Sequence, residues 1–214
     1  AIQMVAPAEA QLDILVNNAG YAAMGPIVEM PLTHLRRQFE TNVFATLAVV
    51  QAALPLLLAA KQARVVNIGS VSGILTSPYA GAYCASKSAL HTISDALRIE
   101  LSPFGIHVIT VQPGAIRSRF GATASRLLSE TLKKDSLYLP IKKAIDDRAM
   151  ASQARPTSAE KFARATVTKI LRKKAPIIVR YGRGCIGMPL LKRMLPERLL
   201  DRILAKKFAL DKLN

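Results

Sequence analysis

Three short apolar runs, each stopped by a polar or glycine-bearing loop and separated from the next by a long helical stretch, most constrain what this chain can fold into. Leu12-Asp13-Ile14-Leu15-Val16 stops at Asn17-Asn18-Ala19-Gly20, residues 64–68 stop at Gly69-Ser70, and residues 106–111 stop at Gln112-Pro113-Gly114. Runs this continuous suit strands covered on both faces. Between them lie helical patterns over residues 32–60, with Thr33 as the expected N-cap, and 83–102, with Gly105 just beyond. Parallel neighbours need such crossovers, so the pattern predicts an α/β fold: a Rossmann-like, doubly wound parallel sheet with helices on both faces. Residues 175–180 supply one more strand.

Residues 115–158 break the alternation. Short amphipathic pieces, one helix over 125–132 and another over 141–150, read as an insertion covering a site, with Leu127, Leu128, Leu137, Leu139 and Ile141 as its apolar lining. Beyond Pro189, Leu195, Leu199, Leu200, Ile203, Leu204 and Phe208 share one helical face, and Pro196 suits a first turn. The expected organisation is one domain: 1–118 as core, 119–160 as lid, 161–214 as last helix, last strand and basic tail.

Charge divides the same way. Of 30 Lys/Arg and 14 Asp/Glu, residues 116–214 carry 24 and 8, so the whole formal +16 belongs to the second part. A one-sided basic surface favours anionic partners: phosphorylated substrates, acidic lipid headgroups or nucleic acid. Nucleic acid ranks last and is not expected, because aromatic residues are sparse and no RNP-like or helix-turn-helix pattern is present. The tail is expected to make peripheral contact with membranes through Arg198, Arg202, Lys206 and Lys207.

Pro, Gly or charge interrupts every apolar run before the roughly 20 residues a membrane span needs, so no transmembrane helix is expected. The opening AIQMVAPAEA has no secretory pattern. Cys84 and Cys185 lack metal-ligand spacing and are too few for a disulfide framework, which fits a reducing, cytoplasmic setting. Cys84 reads as a small packing residue. His34, His91 and His107 have no ligand-like spacing and read as structural or surface residues, so no metal is expected. Val43, Phe44 and Leu47 read as packing residues.

The chemistry concentrates in Tyr83-Cys84-Ala85-Ser86-Lys87, which places a phenol and an ammonium one helical turn apart on one face. A nearby cation favours phenolate, fitting Tyr83 for general acid–base work. Ser70, thirteen residues earlier at a strand end, can hold a substrate oxygen, with Ser72 as its rival.

Asn17-Asn18-Ala19-Gly20, Thr41-Asn42-Val43, Asn67-Ile68-Gly69-Ser70, Tyr83-x-x-x-Lys87 and Val111-Gln112-Pro113-Gly114, in this order, resemble the classical short-chain dehydrogenase/reductase family. The resemblance implies hydride transfer between NADP or NAD, NADP slightly favoured, and an alcohol or ketone substrate. It implies Tyr83 as proton donor or base, Lys87 as the group that lowers the Tyr83 pKa and binds the nicotinamide ribose, Ser70 on the substrate oxygen, and Asn42 positioning a relay water. Asn17 and Gly20 would face the adenosine side of the cofactor, and Pro113, Gly114, Ile116 and Ser118 its nicotinamide end. Ser118 stands where Thr is more usual. The resemblance also implies a homodimer.

The family's glycine-rich turn precedes the stretch that matches here, so the resemblance implies that the chain starts at the helix before the family's fourth strand, as a piece of a longer protein. Residues 12–16 would then form an exposed sheet edge. The basic third and Tyr181-Gly182-Arg183-Gly184 loosely resemble the 17-beta-hydroxysteroid dehydrogenase-like and acyl-dihydroxyacetone-phosphate reductase subgroup, implying a lipid-like or steroid-like substrate. The competing reading is a noncatalytic module of the same fold that binds membrane surfaces or proteins.

Overall fold

The computed structural model of the protein describes residues 10–213; the helix expected ahead of Leu12 lies outside the described residues. Strands β1 (Ile14–Asn17), β2 (Arg64–Ile68), β3 (His107–Pro113) and β4 (Ile178–Tyr181) form one parallel sheet in that order. Ile14 pairs with Arg64, Arg64 with His107 and Thr110 with Ile178. The helices are α1 (Leu32–Phe39), α2 (Ala45–Ala59), α3 (Gly81–Leu101), α4 (Phe120–Thr131), α5 (Lys142–Met150), α6 (Ala159–Ile170), α7 (Gly187–Met194) and α8 (Glu197–Lys207). This is the Rossmann-like α/β arrangement that the alternation of strands and helices dictates.

Alternate residues of a strand face opposite sides, and both sides of β2 are covered. Val65 packs with Val50, Ala53 and Leu57 of α2, whereas Val66 packs with Ile109, Val111, Val179 and Ile170 of α6. Each such fully buried aliphatic side chain contributes about 1.5–3 kcal/mol. Among the described residues β1 is an edge strand, with Val16 50% exposed.

Several boundaries differ from expectation for local reasons. Thr33 does not cap α1; the capping position is Pro31, extended at φ −56° and ψ 134°, with no side-chain hydrogen bond. The expected single helix is interrupted by a π-helical turn, Glu40–Phe44, which carries Asn42 into the interior and leaves Phe44 54% exposed rather than packed. π-Turns within helices occur often at functional sites. Helix α4 starts at Phe120, five residues before the expected start, where the Ser118 hydroxyl accepts a hydrogen bond from the Phe120 amide at 3.3 Å.

By length and composition the run Leu32–Ala59 is apolar enough to cross a membrane, contrary to the reading by interruptions alone. Here Val50, Ala53 and Leu57 bury one side of it against the sheet. The lid is also more mixed than expected: Leu127, Leu128 and Ile141 are buried, while Leu137 and Leu139 are exposed.

Candidate active site

The carboxyl end of β2 leads into Gly69 and Ser70. The Ser70 hydroxyl accepts from the Ser72 amide at 3.1 Å, opening a tight turn over Val71–Gly73. The Ser70 amide donates to Nε2 of His91 at 3.3 Å. That imidazole fits because two glycines flank it. A Cβ on Gly69 would lie 2.2 Å from His91 Nε2, and one on Gly73 would lie 2.7 Å from Cε1.

Tyr83, Lys87 and His91 follow one another at single-turn spacing along α3, so one helix face supplies all three. Tyr83 and Lys87 are buried, and Lys87 Nζ donates to the Ile68 carbonyl at 2.7 Å. Burial pulls Lys87 down to about 8. Burial pushes Tyr83 up to about 12, opposed by a hydrogen bond from the Ser70 side chain and by the Arg148 guanidinium. Ser70 and Arg148 thus favour phenolate, two groups that the sequence reading of the Tyr83 pKa, built on Lys87, did not include. His91 is lowered to about 4, chiefly by burial and then by the Lys87 charge, with Asp95 opposing and Arg180 adding. A neutral ring accepting at Nε2 carries its proton on Nδ1. Burial likewise pushes the Cys84 thiol up, as suits a packing residue.

Asn42 is fully buried and braces the wall. Its Nδ2 donates to the Tyr21 carbonyl and the Ser86 hydroxyl, both at 3.0 Å, while its Oδ1 accepts from the Tyr21 amide at 3.1 Å. Asn17 donates to Asn67 at 2.9 Å, and Asn67 donates to Ser94 at 2.9 Å, tying β1, β2 and α3 together.

These elements border a cleft of about 1020 Å³ at the carboxyl ends of the strands, where open α/β sheets bind ligands. Gly20, Ser70, Tyr83, Lys87, Pro113, Gly114, Ile116 and Ser118 line it. Asn17 and Asn42 do not; they stand behind the wall. A side chain at Gly114 is excluded, since its Cβ would lie 2.0 Å from the Arg183 carbonyl oxygen. Ser72 also lines the cleft, but its amide serves to hold Ser70.

Sequence reasoning read His91 as a structural or surface residue, which fits its place against Gly69 and Gly73, and missed Asn18, Ser77 and Arg148. The last three line the cleft, and Arg148 Nε donates to Ser77 Oγ at 2.7 Å. His91 stands one turn beyond Lys87, a spacing that was readable; Arg148 had no local signal. A smaller cleft of about 410 Å³ lies at the opposite end of the strands, beside His107 and Ile177, far from these groups. Among the described residues no three His, Cys, Asp or Glu side chains are grouped to hold a metal.

Comparison with known proteins gives the family. Residues 1–127 match the short chain dehydrogenase family. The NADPH-dependent 3-dehydrocapnine reductase of Ornithobacterium rhinotracheale is 34% identical over 201 residues, covering 91% of this chain and 70% of that protein. The probable short-chain type dehydrogenase/reductase VdlC of Helicobacter pylori is 38% identical over 130 residues, 61% of this chain and 47% of that protein. The chain thus spans about half the length of one such relative and 70% of the other. Among solved structures, a short-chain dehydrogenase from Streptomyces avermitilis superposes with a TM-score of 0.70 at 27% identity, covering 95% of this chain and 70% of that one. The chain belongs to the short-chain dehydrogenase family.

Proposed function

We propose that the protein reduces a carbonyl to an alcohol, or runs the reverse, with NADP or NAD as hydride partner and Tyr83 as the proton-transferring residue. The observation that carries this reading is the meeting of the Tyr83 and Ser70 side chains, with buried Lys87 one turn away, on the wall of the large cleft. A scaffold has no need of that combination.

The residues present fit the nicotinamide end of such a cofactor. A Cβ on Gly20 would meet Asn42 Oδ1 at 3.1 Å and Lys87 Nζ at 3.4 Å, so the glycine leaves backbone open beside the ammonium, on the ribose side of the nicotinamide rather than the adenosine side that the resemblance implied. Lys87 uses a donor on Ile68 and has others for ribose hydroxyls. Pro113, Gly114, Ile116 and Ser118 complete that side. When bound, the nicotinamide supplies or takes up the hydride. The protein's own groups handle the oxygen: Ser70 Oγ–H holds it, and Tyr83 Oη gives it a proton in reduction or removes one in oxidation. A phenol pushed up to about 12 is protonated at neutral pH, the state that reduction requires. Asn42 holds the Tyr21 loop beside Lys87 and is proposed to position a water that returns the proton to Tyr83.

NADP is favoured over NAD in this proposal, supported by the NADPH dependence in the Ornithobacterium relative's name. A lipid-like or steroid-like substrate and the 17-beta-hydroxysteroid dehydrogenase-like subgroup are part of it, supported by the apolar cleft wall from α7 and α8. So are pairing of two copies through α3 and through α2 with the π-turn that precedes it, where Ile99 and Phe44 are exposed, and peripheral membrane contact through the basic tail. Light scattering that gives the mass of a single chain would end the dimer.

The test is to express the full-length protein and follow NADPH and NADH oxidation against ketones and aldehydes, with Tyr83→Phe as control. Turnover that persists in that variant removes Tyr83 from the mechanism.

A further inference from the structure

We propose that the substrate is an anionic amphiphile, an oxo or hydroxy compound bearing a carboxylate, phosphate or sulfonate within a few bonds of the reacting carbon, and that Arg148 binds that anionic group. The inference rests on the reductase reading above and adds the substrate class and the residue that selects it.

The charge of the cleft is one-sided. Lys87, Arg119, Arg148, Arg155, Arg183 and Lys207 line it, and no Asp or Glu does. Like charges gathered in one concavity repel, and the walls focus their field, so such a cleft draws in anions. Three of the arginines belong to the side assigned to the cofactor. Arg183 pairs with Ala115 beside Gly114, Arg119 follows Ser118, and Arg155 precedes Thr157, which pairs with Ile116. Phosphates of a bound cofactor would offer those three a partner.

Arg148 stands elsewhere. It projects from α5 toward the loop that precedes α3, tethered by Nε to Ser77 Oγ, and it lies close enough to Tyr83 and Cys84 to act on both electrostatically. Among the described residues the Ser77 contact is its only hydrogen bond, and it has no carboxylate partner. A guanidinium has five N–H donors in a fixed fork, and using Nε as the tether leaves the two terminal nitrogens for a ligand. Such a fork matches a carboxylate or phosphate by two parallel hydrogen bonds. Desolvation without a counter-ion pulls the Arg148 pKa down, so the ion is held at a cost that an anionic ligand would offset.

The rest of the cleft favours an apolar remainder. Met188, Leu191 and Leu195, with Ile203, Leu204 and Phe208 of the following segment, line it. A hydrocarbon portion can lie along these side chains while its anionic head reaches Arg148. The reacting oxygen is then at Ser70 and Tyr83.

Two measurements on the full-length protein test this. In the first, calorimetry without cofactor compares dodecanoate and dodecyl phosphate with dodecanol. The anions are expected to bind at least tenfold more tightly, Arg148→Met to erase that preference and Arg148→Lys to keep part of it, having the charge without the fork. In the second, kcat/KM is compared for 3-oxododecanoate and its methyl ester; the acid-to-ester ratio is expected to fall at least tenfold in Arg148→Met. If Arg148→Met does not fold, Ser77→Ala, which removes the tether, should lower both preferences several-fold.

Equal binding of dodecanol and the anions by the parent, or a preference that survives in a folded Arg148→Met, overturns the proposal. Tyr83→Phe should lose turnover and keep the binding preference. Selective anion binding with no reduction of any probe would therefore sink the reductase reading while upholding the anion site.

Discussion

The sheet half of the molecule, through Gly114, and the lid and tail that follow treat polar groups in opposite ways. In the first, buried polar side chains satisfy one another: Asn42 with Tyr21 and Ser86, Asn17 with Asn67, Asn67 with Ser94. In the second, cations face the cleft with no acid among its lining residues. A satisfied network fixes geometry, whereas unpaired charge at a cavity is available to a ligand. On the proposed function, the first half would position the reacting groups and the second would choose what reaches them.

The largest effect should come from the positioning half. Tyr83→Phe is expected to lower kcat by roughly 10² to 10⁴, the usual contribution of a general acid, with cofactor affinity within a few-fold of the parent. Lys87→Met should lower turnover and weaken cofactor binding as well, since its ammonium stands beside Gly20, where the ribose is proposed to bind. Titration of NADPH by fluorescence separates the two; unchanged affinity in the Lys87 variant would remove the ribose contact.

Next in size is an acid sensitivity built around His91. Its folded pKa, about 4, lies below the ordinary 6.5, so between those values the unfolded chain takes up a proton that the folded site refuses. Stability is therefore expected to fall as pH drops from 6.5 toward 4, by roughly 3 kcal/mol in total. His91→Gln keeps an acceptor for the Ser70 amide and cannot titrate. Urea midpoints at pH 7 and pH 4.5 should lie closer together in the variant than in the parent. An equal drop in both would show that His91 does not carry it. Lys87 has the same sign at higher pH, its contribution to stability rising between about 8 and 10.5.

The framework itself is more modest. Asn42→Ala removes three hydrogen bonds and leaves the Tyr21 amide and carbonyl without that partner, which should cost roughly 1–3 kcal/mol, read as a lower urea midpoint. A midpoint equal to the parent's would mean that the Tyr21 loop is held from elsewhere.

How much of this was readable in the sequence follows the same division. Strand β2 matched its expected bounds, Arg64–Ile68, because Val65, Val66 and Ile68 mark a strand covered on both faces, while buried Arg64 and Asn67 are accommodated by hydrogen bonds that the sequence does not announce. Ser70, Tyr83 and Lys87 were found because they sit at a strand end and one helical turn apart, which are local signals, and Gly20 was found through resemblance. Asn42 was found through resemblance, while its interior placement depends on a π-turn that no periodicity announces. His91 was read as structural or surface, but that it braces Ser70 depends on two glycines in a turn some twenty residues earlier. Arg148 was invisible because it acts through Ser77, seventy-one residues away. The pattern states what a residue is; only the fold states what it faces.

The smallest effect concerns the tail, where structure narrows the proposed membrane contact. Leu200 is buried, Leu204 and Phe208 line the cleft, and the Phe208 carbonyl accepts from the Tyr79 hydroxyl at 2.8 Å, so much of the tail's apolar face is engaged inside the domain. Outward on the tail are Met194 at 68%, Leu199 at 44% and Ile203 at 46% exposure, beside Arg198 and Arg202. Attachment should then be mainly electrostatic, with each basic residue near an anionic surface contributing on the order of 1 kcal/mol, or about fivefold in partitioning. Sedimentation with vesicles of phosphatidylserine and phosphatidylcholine, compared with phosphatidylcholine alone, is expected to show binding to the anionic ones only, weakened by salt. Arg202→Gln should reduce it by that single step, and replacing Arg198, Arg202, Lys206 and Lys207 together by Gln should abolish it. If the fourfold variant partitions like the parent, the tail's charge does not bind membranes, and the basic half serves the cleft alone.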